Sequence, residues 1–248
     1  MSGIKLNLSD SNNRMKIFHN IHRGRRGFII GNGPSLAAAD LDLLQDEITF
    51  AANKIYLHFP DTAFRPSYYA AVDLIFLENF SNKILEIEGA KFLPLSAAQW
   101  IEFSENLFLF KEIGSPKGKP FKPGFSLDVK QGIYGGYTVS FTLIQLAFYM
   151  GIRELYLIGM DHEYRLPDKR THHQAYGEVL VSEGEINHFH KGYRPAGEIW
   201  SIPRPEYQEQ AFRLALRTYR DHGGTISNAT RGGRLNIFPR VDLEEIIL

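Results

Sequence analysis

The sequence lacks cysteine, an excess of charge of either sign and any long apolar run. Without cysteine, disulfide frameworks and thiolate chemistry are excluded. The 28 Lys and Arg residues balance 28 Asp and Glu residues, so net charge gives no argument for a nucleic-acid partner. No segment approaches the ~18 apolar residues of a membrane-spanning helix, and residues 1–20 lack the apolar core of a secretory signal. We therefore expect a cytoplasmic protein, with contact to a membrane surface and self-association left open.

Short apolar runs alternate with helix-like segments over most of the 248 residues. This alternation predicts the α/β class: one doubly wound, Rossmann-like domain with a mainly parallel sheet and a lid segment. Residues 1–24 are polar without periodicity, so we expect a surface extension ahead of a domain at residues 25–248. Residues 100–131 show no sustained period and are expected to form an insertion or long loop. The expected strands are residues 27–30, 48–52, 68–72, 91–95, 154–158 and 225–228, and the expected helices include residues 37–44, 139–150, 206–222 and 243–248.

The first expected strand runs into a glycine turn, Gly31-Asn32-Gly33-Pro34-Ser35. Two glycines permit positive φ angles and let a ligand approach the backbone closely. A helix that begins near Pro34 would direct its free N–H groups and the positive end of its dipole into the same space. The turn therefore predicts a receptor for phosphate or carboxylate, although an ordinary tight turn has the same pattern. The third glycine of G-x-G-x-x-G and the lysine of a P-loop are both missing.

Small polar residues follow the other expected strands. Asn53, Asp73 and Asp161 each stand at a strand end, and ligands of open parallel sheets bind outside those ends. The two aspartates have three roles that spacing cannot separate: ligands of Mg²⁺, acceptors of hydrogen bonds from sugar hydroxyls, or caps of the following turns. A second glycine-rich segment, residues 132–140, enters a strongly apolar helix.

Residues 165–186 are polar and follow the strand end at Asp161, which makes them a candidate mobile lid. Two histidines come next, His188 and His190. Imidazole can accept a proton near neutral pH, so either is a candidate general base, although each could simply hydrogen-bond within a loop. No cysteine or HExxH pattern supports a metal site, and we predict none. The hydroxyl of a tyrosine such as Tyr164 could donate to a departing phosphate without a metal.

Several of these segments resemble the motifs of bacterial lipooligosaccharide sialyltransferases. The glycine turn is similar to the first motif of that family, residues 50–56 to its second motif and residues 149–161 to its helix–strand core. The resemblance implies that Asn32, Ser35 and Asn53 contact the CMP of the donor. It also places Thr138 and Ser140 at a helix start, Tyr164 near a tyrosine that holds the leaving phosphate, and residues 187–193 in the catalytic-histidine region.

A sister group shares further motifs with the chain. It is commonly labelled as resembling 6-hydroxymethyl-dihydropterin diphosphokinase, and it includes domains tied to flagellin and surface-polysaccharide glycosylation. The resemblance spans roughly residues 25–245. The shared motifs are Arg65-Pro66-Ser67-Tyr68-Tyr69, Asn187-His188-Phe189, Asn228-Ala229-Thr230 and Phe238-Pro239-Arg240.

The resemblance implies a metal-independent glycosyltransferase without a cofactor. It would move an acidic, sialic-like sugar from a CMP-activated donor to a surface glycan or glycoconjugate, with His188, or else His190, as base and Tyr164 on the leaving phosphate. Two alternatives stay open: Mg²⁺-dependent pyrophosphoryl transfer from ATP to a pterin through Asp73 and Asp161, and a non-catalytic nucleotide-sugar-binding module. The nucleotide contacts are expected from Gly31, Asn32, Gly33, Ser35, Asn53, Asp73, Thr138, Ser140 and Asp161.

Overall fold

The structure is a computed structural model that describes residues 13–115 and 119–247. Strands and helices alternate along these residues. The strands are β1 (Arg26–Ile30), β2 (Ile48–Ala52), β3 (Tyr68–Ala70), β4 (Ala90–Pro94), β5 (Leu107–Phe110), β6 (Glu112–Ile113), β7 (Ile133–Tyr134), β8 (Glu154–Ile158), β9 (Arg170–His173), β10 (Gly177–Val181), β11 (Ile199–Trp200) and β12 (Thr225–Asn228). The α-helices are α1 (Ala38–Asp42), α2 (Leu74–Glu86), α3 (Val139–Tyr149), α4 (Pro205–Asp221) and α5 (Leu243–Ile247), and 3₁₀ turns cover Lys16–Phe18, Asn53–His58, Leu95–Gln99 and Val129–Gln131.

The central sheet has seven strands in the described residues, in the order β12-β8-β1-β2-β3-β4-β5. Every neighbouring pair is parallel; Phe28 of β1, for example, is aligned with Thr49 on one side and Tyr156 on the other. The predicted α/β class and mainly parallel sheet are confirmed. From β1 the chain continues to β2, which lies on one side of β1, and it later adds β8 on the other side of β1. The strand order therefore reverses between β1 and β8. Open α/β sheets bind ligands at such a point.

Both faces of the sheet are covered, which is why its strands are continuous apolar runs in the sequence. On β1, Ile29 packs with the core that contains Phe141 of α3 and Phe212 of α4, whereas Phe28 belongs to the core on the opposite face with Leu77 of α2. The helix α3 contacts both the sheet and α4, and all its residues after Val139 are buried.

The described part of the N-terminal segment is packed against the domain rather than extended over its surface. Met15 and Phe18 are buried in the core, and the Tyr149 hydroxyl donates to the Met15 carbonyl across 3.3 Å. The surface extension expected for residues 1–24 therefore does not fit residues 15–18. Residues 1–12 lie outside the described residues. Among the described helices, none combines the length and the apolar character needed to cross a bilayer.

The segment expected to be a long loop contains an edge strand of the central sheet. All four residues of β5 are buried and apolar, like those of the predicted strands, but the segment before them has no period that marks where a strand begins. They pair in parallel with β4. The expectation of a loop over residues 100–131 is therefore wrong for β5. It is also wrong for β6, which lies in this range and pairs with β7.

The predicted lid, residues 165–186, contains two strands of a small antiparallel sheet. In this sheet β10 pairs with β9 and with β11. The two ends of the segment are tied together, because the Asn187 side chain accepts from the Arg165 N–H at 2.7 Å and donates to the Arg165 carbonyl at 2.9 Å. We call β9, β10 and β11 the lid sheet. That it moves stays a prediction.

Candidate functional site

Two adjoining cavities lie at the carboxyl ends of β1, β2 and β8, where the strand order reverses. We call them the inner and the outer cavity; Asn53, Thr138, Tyr164 and His188 line both. The inner cavity brings together most of the predicted site, namely Gly31, Asn32, Gly33, Asn53, Thr138, Ser140, Asp161, Tyr164 and His188. Asp73 lines the outer cavity, and His190 lines neither.

The two glycines of the turn are needed for close packing against the turn after β8. The Gly33 N–H donates to the Gly159 carbonyl across 2.9 Å. A Cβ at Gly31 would lie 2.2 Å from the Gly159 carbonyl oxygen, and one at Gly33 would lie 1.8 Å from Asp161 Oδ2. Neither Gly31 nor Gly33 has a positive φ, so the expected role in a left-handed turn is wrong. Their lack of a side chain lets two strand ends approach each other.

The glycine turn already holds an anionic group, the Asp161 carboxylate. Asp161 Oδ2 accepts from the Ser35 hydroxyl at 2.7 Å and faces the Ser35 N–H at 3.4 Å. Burial raises the pKa of Asp161, and the two contacts from Ser35 oppose that rise. The helix α1 begins only at Ala38, so the expected helix start near Pro34 is wrong and no helix N-terminus opens at the turn. A phosphate placed there would meet a like charge.

Two amide side chains in the inner cavity hold oxygens that lack a partner in the described residues. The amide nitrogen of Asn32 donates to the Ala52 carbonyl at 3.0 Å, which turns its Oδ1 away from that carbonyl. Asn53 has a left-handed backbone, with φ of 51°, and its carbonyl accepts from the Tyr69 hydroxyl at 3.0 Å. Both Oδ1 atoms are buried without a hydrogen bond. A buried oxygen without a hydrogen bond costs about 1–3 kcal/mol of stability. The two oxygens are therefore candidates to accept hydrogen bonds from a ligand.

The N-terminus of α3 opens into the same space. Thr138 caps the helix, since its Oγ1 accepts from the Ser140 N–H at 3.3 Å. Thr138, Val139 and Ser140 all line the inner cavity. The positive end of the dipole of this 11-residue helix therefore faces the inner cavity, where it favours an anion. The start of α3 therefore suits a phosphate better than the glycine turn does, because the turn already holds the Asp161 carboxylate.

His188 is held at the junction of the two cavities by its neighbours in the chain. The Phe189 N–H donates to the Asn32 carbonyl at 3.1 Å, which fixes the histidine segment to the glycine turn. The His188 ring stacks on Tyr193 with 3.9 Å between centroids, and its Nδ1 lies 3.0 Å from Glu185 Oε2. That contact is short enough for an ion pair but lacks the alignment of a hydrogen bond.

The electrostatics of this pair are set by burial. Burial lowers the pKa of His188, and the Glu185 carboxylate opposes that effect. Burial would raise the pKa of Glu185, but His188 and the N–H of Asn187 bring it below the ordinary value. A histidine kept neutral, beside a carboxylate that stabilises the protonated form, is suited to accept a proton.

The remaining predicted residues have other roles. His190 is exposed, and its Nδ1 accepts from the Gly192 N–H at 2.9 Å, away from the cavities. Asp73 caps α2 by accepting from the Phe76 N–H at 3.0 Å, which is the capping alternative for this residue. The Tyr164 hydroxyl donates to Gln208 Oε1 at 3.3 Å, and burial raises the pKa of Tyr164.

Sequence reasoning missed residues whose importance depends on contacts across the fold. Gln208 of α4 binds Tyr164 and, through its amide nitrogen, the Tyr137 carbonyl at 2.9 Å. Glu185 was inside the predicted lid, and its position three residues before His188 was the available signal. Nothing in the sequence singled out Arg194, which lines the outer cavity. Among residues 13–115 and 119–247, no three His, Asp or Glu side chains gather in an arrangement that could hold a metal ion.

One solved structure similar to this chain is that of the MAf glycosyltransferase from Magnetospirillum magneticum AMB-1. The TM-score is 0.50 at 14% sequence identity, and the match covers 98% of this chain and 39% of that chain. At this identity the similarity shows the fold, and this chain corresponds to well under half of that protein. No curated protein matches the sequence.

The model of a protein family described as 6-hydroxymethylpterin diphosphokinase MptE-like matches residues 4–166 of the chain. The match includes the glycine turn, Asn53, the start of α3 and Asp161. It ends ahead of Glu185, His188 and Arg194, so the part of the cavity lining that His188 and Arg194 supply lies outside it. The matched part is most of the chain. The protein therefore belongs to the 6-hydroxymethylpterin diphosphokinase MptE-like family.

Proposed function

We propose that this protein is a glycosyltransferase that moves an acidic sugar from a CMP-activated donor to a glycan acceptor. The observation that carries the proposal is the position of His188. It stands beside Glu185 at the junction of a cavity with unpaired amide oxygens and a second, outer cavity. A nucleotide in the inner cavity would place its sugar at this junction.

The inner cavity offers a group for each part of a nucleotide. The Oδ1 atoms of Asn32 and Asn53 can accept from an exocyclic amine or from ribose hydroxyls. Asp161 can accept from a ribose hydroxyl in the same way. The N-terminus of α3 can bind the phosphate.

The reaction needs one proton transfer and one displacement. His188 takes the proton of the acceptor hydroxyl, whose oxygen forms a bond to the anomeric carbon of the donor sugar. The bond from that carbon to the phosphate oxygen breaks, and its electron pair leaves with CMP. Tyr164 and the start of α3 stabilise the charge that develops on the phosphate. No metal ion takes part in this sequence of events.

The comparison with solved structures supports a role in glycosylation. The fold is shared with a protein described as a MAf glycosyltransferase. The family, in turn, is described by its likeness to a 6-hydroxymethylpterin diphosphokinase, which favours pyrophosphoryl transfer from ATP as a second candidate. That reaction would require Asp73 and Asp161 to share Mg²⁺. The two carboxylates line different cavities and are each engaged within the protein, so they do not fit a common metal site.

A thermal-shift measurement with a nucleotide panel separates these candidates. We expect CMP to raise the Tm with or without Mg²⁺, because a ligand at ~100 times its Kd adds about 2.7 kcal/mol to the free energy of unfolding. Stabilisation by ATP that requires Mg²⁺, with none by CMP, would favour the diphosphokinase. Release of CMP from CMP-N-acetylneuraminic acid on addition of a glycan acceptor then tests turnover. Binding of CMP without turnover of any CMP-activated acidic sugar would leave a non-catalytic nucleotide-sugar-binding module.

A further inference from the structure

Arg194 is a partly buried cation, two of whose guanidinium nitrogens lack a hydrogen-bond partner in the described residues. Its Nε and Nη1 atoms are buried and unpaired. Arg194 lines the outer cavity. Burial accordingly lowers the pKa of Arg194, although an arginine stays charged near neutral pH. An unpaired buried charge is costly to keep, so its presence calls for an explanation.

The carboxylates around Arg194 are all engaged elsewhere. Glu198 binds Lys54, with its two oxygens 2.9 and 2.8 Å from the ammonium nitrogen. Glu185 faces His188, and Asp73 caps α2. These charges lie close enough to favour the charged guanidinium, but none forms a hydrogen bond with it. The protein thus supplies Arg194 with a favourable field and leaves its donors free.

The side chain is also held in place. The guanidinium carbon of Arg194 lies 3.8 Å from the ring centroid of Trp200, a stacking distance, and 5.9 Å from that of Tyr193. Trp200 is itself buried, and its Nε1 is a further donor without a partner. Arg194, Trp200, His188 and Asn53 all line the outer cavity. The outer cavity is therefore lined by two residues with unpaired donors, Arg194 and Trp200.

We propose that Arg194, supported by Trp200, is an oxyanion subsite that binds the carboxylate of the acidic sugar on the donor. This inference rests on the proposed function, which places a nucleotide sugar across the two cavities. The planar fork of a guanidinium matches a carboxylate in a bidentate pair. Phosphate has the same charge, but the start of α3 offers it a site in the inner cavity, whereas Arg194 lines the outer one.

The test is isothermal titration of the wild-type protein, Arg194→Gln and Arg194→Lys with CMP and with CMP-N-acetylneuraminic acid. Arg170→Gln is the matched control, because Arg170 lies in the lid sheet, is exposed and pairs with Glu178 at 3.2 Å. We expect Arg194→Gln to weaken the binding of the CMP-sugar by about 10-fold or more, because it removes a charge-assisted hydrogen bond. The affinity for CMP should stay unchanged. Arg194→Lys should be intermediate, and the control should bind both compounds like the wild type.

If Arg194→Gln weakens the binding of CMP and of the CMP-sugar equally, the assignment to the sugar carboxylate is overturned. Arg194 would then bind the phosphate. Unchanged binding of both would overturn the subsite altogether while the proposed function stands. If the wild type binds neither compound, the CMP donor is wrong, and saturation-transfer NMR tests the subsite without nucleotide. The wild type should then prefer N-acetylneuraminic acid over its methyl ester, and Arg194→Gln should lose that preference; a wild type without preference contradicts the subsite.

A stability measurement distinguishes this subsite from a structural role. Arg194→Met keeps the side-chain stem against Trp200 and removes the unpaired charge. If Arg194 serves a ligand, this variant should unfold at or above the Tm of the wild type. A Tm clearly below those of the wild type and of an Arg170→Met control would show that Arg194 is there to hold the fold.

Discussion

The Nδ1 atom of His188 lies 3.0 Å from the Oε2 atom of Glu185, and both side chains are largely withdrawn from solvent, with exposed fractions of 15% and 2%. A carboxylate beside one ring nitrogen of a histidine stabilises the protonated ring and leaves the other nitrogen available for proton transfer. In this cleft, the available nitrogen belongs to a residue that lines both cavities. The proposed proton transfer therefore belongs at the junction.

His188→Ala should lower kcat by about 10²–10⁴-fold, the usual contribution of a general base. Donor affinity should stay nearly unchanged, since the base contacts the acceptor. The measurement is CMP release at saturating donor and acceptor, together with the Kd of CMP. His190→Ala is the control, because His190 is exposed in the same segment, and it should keep the wild-type kcat. If neither substitution slows turnover, a histidine base is wrong.

Glu185→Gln should shift the pH dependence of kcat. Burial lowers the pKa of His188, and the Glu185 carboxylate opposes that lowering. Removing the carboxylate leaves burial unopposed, so His188 should become protonated only at lower pH. The acidic limb of the pH–rate profile should therefore move to lower pH in this variant, with kcat at the plateau reduced less than by His188→Ala. If kcat falls equally at every pH and the acidic limb stays in place, Glu185 only supports the loop.

Asp161→Asn should stabilise the protein at pH 8 and have little effect at pH 4. Burial raises the pKa of Asp161 above the ordinary 3.8, so the folded protein binds this proton more tightly than the unfolded chain. Such a carboxyl lowers the free energy of unfolding as pH rises from 3.8 through its folded pKa. Asparagine can still accept from Ser35 and carries no charge. The Tm at the two pH values checks this, and equal effects at both would contradict a buried charge as the cause.

Gly33→Ala should destabilise the fold by about 1–3 kcal/mol, the usual cost of overpacking. The added Cβ would lie 1.8 Å from Asp161 Oδ2 and 2.8 Å from the Gly159 carbonyl oxygen, so two strand ends would have to separate. Urea unfolding measures the change. Gly114→Ala is the control, because a Cβ at Gly114 meets nothing within 4 Å among the described residues and should leave stability unchanged. A Gly33→Ala protein as stable as the control would show that the two turns can separate freely.

The lid prediction can be checked by limited trypsin digestion. Arg165, Lys169 and Arg170 are exposed cleavage sites at the start of the lid sheet. Cleavage there should come first in the free protein and should slow when CMP is bound, because a ligand at the junction would hold the lid sheet in place. Equal rates in both states would argue for a fixed wall, and first cleavage elsewhere would place the mobile segment elsewhere.

The fold could be predicted because its buried strands are marked by composition alone. β2 and β8 lie at the predicted bounds, since each is a short, mainly apolar run between clear turns, and β12 lies at its predicted bounds after the Gly223-Gly224 stop. β5 was missed for the opposite reason: it follows a segment without period, and its Leu107-Phe108-Leu109-Phe110 run carries no flanking signal. Met15 and Phe18 were missed because isolated apolar residues in a polar segment do not indicate what they pack against.

The candidate site was only partly predictable, because its key contacts join distant residues. Strand ends drew attention to Asn32, Asn53 and Asp161, which all line the inner cavity. Asp161 is held in the glycine turn by the Ser35 hydroxyl, which comes from a distant part of the chain. No local sequence pattern could show this hydrogen bond. The choice between His188 and His190 depended on which of them faced Glu185 and the cavities, which required the path of the loop.

The position of β1 between β2 and β8 also affects how the protein is made. As the chain leaves the ribosome, β1 finds β2 early, but its other edge has no partner until Glu154–Ile158 has been synthesised. A bare apolar edge can pair with other chains in the meantime. The same strand brings Asp161 behind it, and His188 emerges later still. The inner cavity can therefore form only after His188 has been synthesised, so a ligand bound there cannot protect the edge of β1 at the earlier stage.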